Sequence, residues 1–132
     1  MKKSVSFIVV ILTLAMLVAT SGCTSNKSNL SAQDYNQQGL SLATQGKYKD
    51  AVASYTRAIQ LNSQEAQFYV NRGTAYLNMK EFDLAVADFD QAIKLDPNLA
   101  EAYAGRGYAY MNKGGVYLNL AIADFNIVLL KS

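Results

Sequence analysis

The chain has 132 residues, with 12 Lys plus Arg against 10 Asp plus Glu, one Cys, one Pro, no His and no Trp. That length accommodates one ordinary domain or a short repeat array, and the missing His removes the commonest neutral-pH general base and the commonest transition-metal ligand. A single Cys excludes an intrachain disulfide and a structural thiolate zinc site, and from residue 23 onward the chain is neutral, with 10 basic and 10 acidic residues, so nothing draws it generally toward nucleic acid.

Met1-Lys2-Lys3 is a short basic start, and Phe7 to Val18 is an almost uninterrupted apolar run. The run is too short to span a bilayer comfortably and suits the apolar region of a secretory signal. Small and polar residues follow at once: Ala19-Thr20-Ser21-Gly22-Cys23. This start resembles a bacterial lipoprotein signal, with residues 1–22 as the signal peptide and Cys23 as the acylated first mature residue. Gly22 and Ser21 match the small residues expected there, and Thr20 stands where Leu is usual. The resemblance implies several acyl chains on Cys23, and several hold a membrane firmly where one holds only marginally. It also implies a place in the bacterial cell envelope. Thr24 follows the cysteine in place of Asp, so in a Gram-negative cell the anchored chain would sit on the outer membrane, facing the periplasm. An uncleaved N-terminal anchor helix is the alternative. Thr24 to Ser31 (TSNKSNLS) is polar and aperiodic, so residues 23–31 read as the lipidated Cys and a flexible tether.

The remainder, residues 32–132, repeats with a period of 34. Gly39, Gly73 and Gly107 keep that spacing, as do Tyr35, Tyr69 and Tyr103. Ala51 and Ala85, Tyr55 and Phe89, and Ala58 and Ala92 follow the same interval. The pattern predicts six helices, 32–45, 49–62, 66–79, 83–96, 100–113 and 118–131, in repeats of about 32–65, 66–99 and 100–132. Gly in mid-helix costs about 1 kcal/mol against Ala, so close approach of a partner helix is expected to offset it. Ala51, Tyr55 and Ala58 advance by four and three residues and share one helical face. These positions resemble the tetratricopeptide repeat, which implies an all-α, right-handed superhelix of three helix-turn-helix repeats.

Gly46 and Gly114-Gly115 fall at the turns inside the first and third repeats, places for a left-handed cap. Lys80 occupies that place in the second, so its turn is made without glycine. Gly107 to Ala121 is 14 residues where the earlier copies have 12, so Gly114 to Tyr117 is expected to form a longer turn. Arg72 and Arg106 precede their glycines, and Asp88 and Asp124 share a place on the following helix. The first repeat carries Gln38 and Ser54 there, so acid and base appear or vanish together. An ion pair within a repeat, or one bridging neighbours, explains this better than a row of anion-binding arginines.

Catalytic chemistry is not expected. Without His no Ser-His-Asp or Cys-His arrangement exists, and Gly114-Gly115 lacks the Lys-Ser or Lys-Thr of a phosphate loop. Asp83, Asp88, Asp90 and Asp96 follow helical spacing and read as a solvated surface, with no EF-hand glycine or bidentate Glu. No metal and no cofactor is expected.

In the tetratricopeptide family the ligand groove is lined mainly by the first helix of each repeat. Carried onto this chain, the resemblance implies a groove with Asn36, Leu40, Val70, Asn71, Thr74, Leu77, Asn78, Tyr108, Met111 and Asn112. Some members clamp a terminal carboxylate with Lys, Asn and Arg, but Asn36, Glu101 and Gly105 stand where the positive charges would, which disfavours chaperone tails. Amides can bond a peptide backbone while the apolar residues accept its side chains or an amphipathic helix. Inter-repeat packing is the alternative for Leu77 and Met111. The expected function is a membrane-tethered scaffold for protein or peptide partners in assembly of an envelope complex. The alternative is a structural lipoprotein that associates with itself. For the latter, Ile127, Val128 and Leu130 of the final helix replace the Gln91, Ala92 and Lys94 of the preceding repeat. Repeat arrays ordinarily end in a polar cap, so this apolar turn is expected to favour a homo-oligomer.

Overall fold

The computed structural model describes residues 29–132. Cys23 and the leader lie outside the described residues. Six α-helices follow: α1 (Ala32–Thr44), α2 (Tyr48–Leu61), α3 (Ala66–Asn78), α4 (Phe82–Leu95), α5 (Ala100–Lys113) and α6 (Leu118–Lys131). There are no strands among the described residues. The expected helices are present, with ends displaced by one residue at most. Ser31 starts α1 through a capping box, its hydroxyl accepting from the Asp34 amide at 3.2 Å while the Asp34 carboxylate accepts from the Ser31 amide at 2.9 Å.

Each helix packs against the next, and first helices also touch across repeats, α1 on α3 and α3 on α5. The second helices, α2, α4 and α6, do not touch one another. Stacking that brings one row together and spreads the other curves the array, with α1, α3 and α5 on the inner side.

The repeated small and large residues hold this stack together. Tyr55 and Phe89 are the largest fully buried side chains, and Ala51, Ala58, Ala85, Ala92, Ala102 and Ala109 are sealed beside them. A Cβ on Gly39 would meet the Tyr55 ring at 2.5 Å, and one on Gly73 the Phe89 ring at 3.1 Å. Gly105 supplies a contact the period did not announce: its missing Cβ leaves room for the Phe89 ring against the next repeat. One ring thereby joins two repeats.

The turns solve one problem in two ways. Gly46, at φ +74°, lets its amide reach the Ala43 carbonyl and the Lys47 amide reach that of Leu42, both at 2.9 Å. Lys80 adopts φ +62°, and the same two bonds run from Lys80 to Leu77 and Glu81 to Tyr76 at 2.9 Å. The helix closure is therefore kept at a left-handed cost of about 1–2 kcal/mol. In the third repeat the two extra residues become a single 3₁₀ turn, Gly115–Tyr117. Tyr117 stacks on Tyr110 with centroids 5.9 Å apart, and Lys113 lies over its ring at 4.1 Å.

Both arginines form the expected pairs, and each does more. Arg72 Nε and Nη2 donate to the two Asp88 oxygens at 2.8 Å, and Nη1 donates to Thr56 of the preceding repeat at 3.0 Å. Arg106 bonds both Asp124 oxygens at 2.8 and 2.6 Å and reaches back to Asp90 at 2.6 Å. The pairing is both within a repeat and between neighbours. Hydrogen bonding to Asp88 and Asp124 raises both guanidinium groups above their ordinary value against the opposing effect of burial, so they stay charged wherever the protein is folded. The acidic run is not one solvated surface. Asp88 is buried, Asp83 pairs with Lys113, and Asp96 accepts from the Asn98 amide at 2.9 Å. Among the described residues no group of acids is placed to hold a metal ion.

Candidate functional groove

The inner row of helices opens into a cleft of about 430 Å³ between the ends of α3 and α5. Thr74, Leu77 and Asn78 line it from α3 and Tyr108 and Asn112 from α5, with Lys80 and Phe82 completing the lining. Five residues expected from the sequence therefore meet around one space. Lys80 and Phe82 belong to the turn and to the second helix, so a rule that looks only to first helices passes over them.

Local chemistry shapes what these walls present. Asn78 Nδ2 donates to its own-helix Thr74 carbonyl at 2.8 Å, and Asn112 Nδ2 to that of Tyr108 at 2.8 Å. Each amide is thus fixed in orientation, with its side-chain oxygen left to accept. Thr74 turns its hydroxyl to the Val70 carbonyl at 2.9 Å. Tyr108 is half exposed, and Met111 continues the apolar surface beyond the cleft. The cleft combines an aromatic and aliphatic wall with oriented amide acceptors and one cation, Lys80.

The other expected residues sit elsewhere. Asn36 is buried, and its Oδ1 accepts from Asn71 Nδ2 at 2.8 Å, while Gln67 donates to Asn71 Oδ1 at 3.3 Å. This amide chain ties α1 to α3 and leaves Asn36 no face toward a ligand. Val70 is buried between repeats and Leu40 is exposed on α1 away from the cleft, whereas Leu77 lines the cleft and also packs partly against the main core. Ile127 and Val128 of α6 are half-buried, whereas Leu130 is 87% exposed. No helix among the described residues is long and apolar enough to cross a membrane.

Stacked helical hairpins with an open inner face define a repeat solenoid, an architecture whose concave side suits contacts with other proteins. A tetratricopeptide repeat model matches residues 66–99, and a second TPR repeat model matches residues 39–80. The second TPR of Spaghetti (RPAP3), bound to the HSP90 peptide SRMEEVD, is 35% identical, covering 80% of this chain and 96% of its own, with a TM-score of 0.75. The second TPR domain of human RPAP3, in complex with the HSP70 peptide SGPTIEEVD, is 36% identical over 76% of this chain and 82% of that one, at 0.70. The Arabidopsis OM64 TPR domain is 30% identical over 77% and 83%, at 0.75. No curated protein matches the sequence. The chain belongs to the tetratricopeptide repeat family, and its six helices form that family's superhelical, all-α fold.

Proposed function

We propose that the chain is a membrane-tethered, non-catalytic scaffold that captures a protein or peptide in its groove during assembly of a bacterial envelope complex. The observation that carries this reading is the open cleft between α3 and α5, with exposed Tyr108 beside two amide oxygens held free by their own helices. Structural relatives hold peptides ending in EEVD. In this chain Glu101 is exposed on the inner row, Gly105 is packed on Phe89, and Asn36 is buried. With no cation at those three places, the groove suits a neutral stretch of backbone carrying an apolar side chain, and not a chain-terminal carboxylate. Tyr108→Ala combined with Asn112→Ala is expected to lower partner capture from envelope extract about tenfold, near 1.4 kcal/mol, with circular dichroism unchanged. Unaltered capture would move the site elsewhere, and lost helicity would make both residues structural.

The anchoring half of the reading is supported by the sequence: a basic start, an apolar run and the unique Cys23 after Gly22. Labelled fatty acid should enter the wild-type chain. Cys23→Ser should abolish the label and leave an unprocessed precursor. Wild-type protein that takes up no label would end the lipoprotein reading.

A further inference from the structure

The second helix of each repeat carries a seam that receives the next repeat. In α2 the seam is Val52, Tyr55 and Ile59, and in α4 it is Val86, Phe89 and Ile93, all half-buried or buried under the following first helix. The third copy, on α6, is Ile122, Phe125 and Leu129. Nothing follows it among the described residues, and Ile122 and Leu129 are 50% and 74% exposed. These positions advance by three and four residues, forming one apolar stripe.

Two observations say what fits this stripe. The first concerns α1, the other end of the stack among the described residues. Ala75 and Ala109 are the buried residues that α3 and α5 turn toward the preceding repeat, and α1 has exposed Ser41 at that place. Gln37 likewise stands where α5 has Gly105. A polar α1 does not complement an apolar α6, so head-to-tail stacking of copies is disfavoured.

The second concerns charge at the seam's middle. Thr56 and Asp90 occupy equivalent places on α2 and α4, and each accepts from the arginine of the following repeat. On α6 this place is Asn126, exposed and uncharged. An acid here would repel its own copy across a symmetry axis, whereas two asparagine amides each offer a donor and an acceptor to the other. The remaining charges of α6 are Asp124, buried and paired with Arg106, and Lys131 at its end.

We propose that two copies of this chain associate through α6, antiparallel, about a two-fold axis between Phe125 and Asn126. Ile122 then packs on the partner's Leu129, and Asn126 meets the partner's Asn126. An antiparallel pair opposes the helix dipoles and keeps the two Lys131 ammonium groups apart. A two-fold contact closes on itself and limits assembly to a dimer. The proposal goes beyond the peptide-binding reading, because the groove lies on the other row of helices.

The test uses the full chain with Cys23 in place, and cross-linking of each added thiol is judged against the unsubstituted chain, so that any link through Cys23 is accounted for. Asn126→Cys treated with a short bis-maleimide is expected to give a band of twice the chain mass, and Ser41→Cys is expected to give none. With differently tagged copies produced together, Asn126→Asp should lower co-precipitation at least tenfold at neutral pH. Helicity should hold, since Asp90 occupies the same place on α4. Ile122→Gln is a second variant with the same expected loss. Absence of the cross-link, co-precipitation untouched by Asn126→Asp and Ile122→Gln, a mixed Ser41–Asn126 cross-link, or a heavier band containing a foreign protein would each overturn the proposal.

Discussion

Replacing Phe89 with Ala is expected to cost about 3–5 kcal/mol, the range for emptying a fully buried aromatic site. For a domain of this size each kcal/mol moves the melting temperature by roughly 4–8 °C, so a drop of about 12–40 °C should appear in a thermal melt followed by circular dichroism. The effect is large because one ring serves two interfaces. Gly73 lies against it from the same repeat, and Gly105 from the next. Both glycines remain after the substitution, and neither has a side chain that can swing into the space. Phe125→Ala should cost clearly less, because Phe125 is only half-buried where Phe89 is sealed. Equal losses at the two positions would mean that Phe89 does not join repeats.

Asp88→Ala is expected to destabilise by about 3–5 kcal/mol, because it strands a guanidinium that has lost most of its contact with water. Arg72 keeps only 18% of its side-chain exposure, and without Asp88 its one remaining hydrogen-bond partner is Thr56. Removing both charges together, as Arg72→Met with Asp88→Leu, should recover most of the loss, since an apolar pair of similar volume leaves no buried charge unpaired and frees only the half-buried Thr56 hydroxyl. Urea unfolding at constant slope measures both variants. A double variant as unstable as the single one would show that the seam needs the hydrogen bonds themselves.

The stack was legible because its period is imposed by packing. Each repeat must present the same small-large-small surface to the next, so Gly39, Gly73 and Gly107 mark helix contacts wherever they fall. The acid-base pairs were legible for a related reason: Gln38 with Ser54 against Arg72 with Asp88 shows partners changing together. Their third members were not. Thr56 and Asp90 lie in the preceding repeat and differ from each other, so no shared residue type announces the bridge. The groove was legible only in part. Asn36 and Asn78 are the same residue on the same row of helices, yet one is enclosed by α3 and the other borders the cleft. Periodicity places a residue on a face, but depth depends on how closely the neighbouring helix approaches. Asp88 illustrates the same limit, an acid in a polar run that burial and Arg72 set apart from Asp83 and Asp96.

The first repeat has neither an arginine nor an acid at the paired positions, and its core cluster is the smaller of the two. In a linear array, where each unit is steadied only by its neighbours, uneven bracing means uneven opening. The two jaws of the inner face therefore differ in stiffness. Tyr108 and Asn112 ride on a repeat locked through Arg106 to both Asp124 and Asp90, whereas Leu40 rides on a helix held to α3 by amide contacts alone among its side-chain hydrogen bonds. On the proposed reading a ligand would meet a well-braced wall at the C-terminal side and a less braced one at the N-terminal side. Opening of the first hairpin would therefore leave the cleft between α3 and α5 undisturbed.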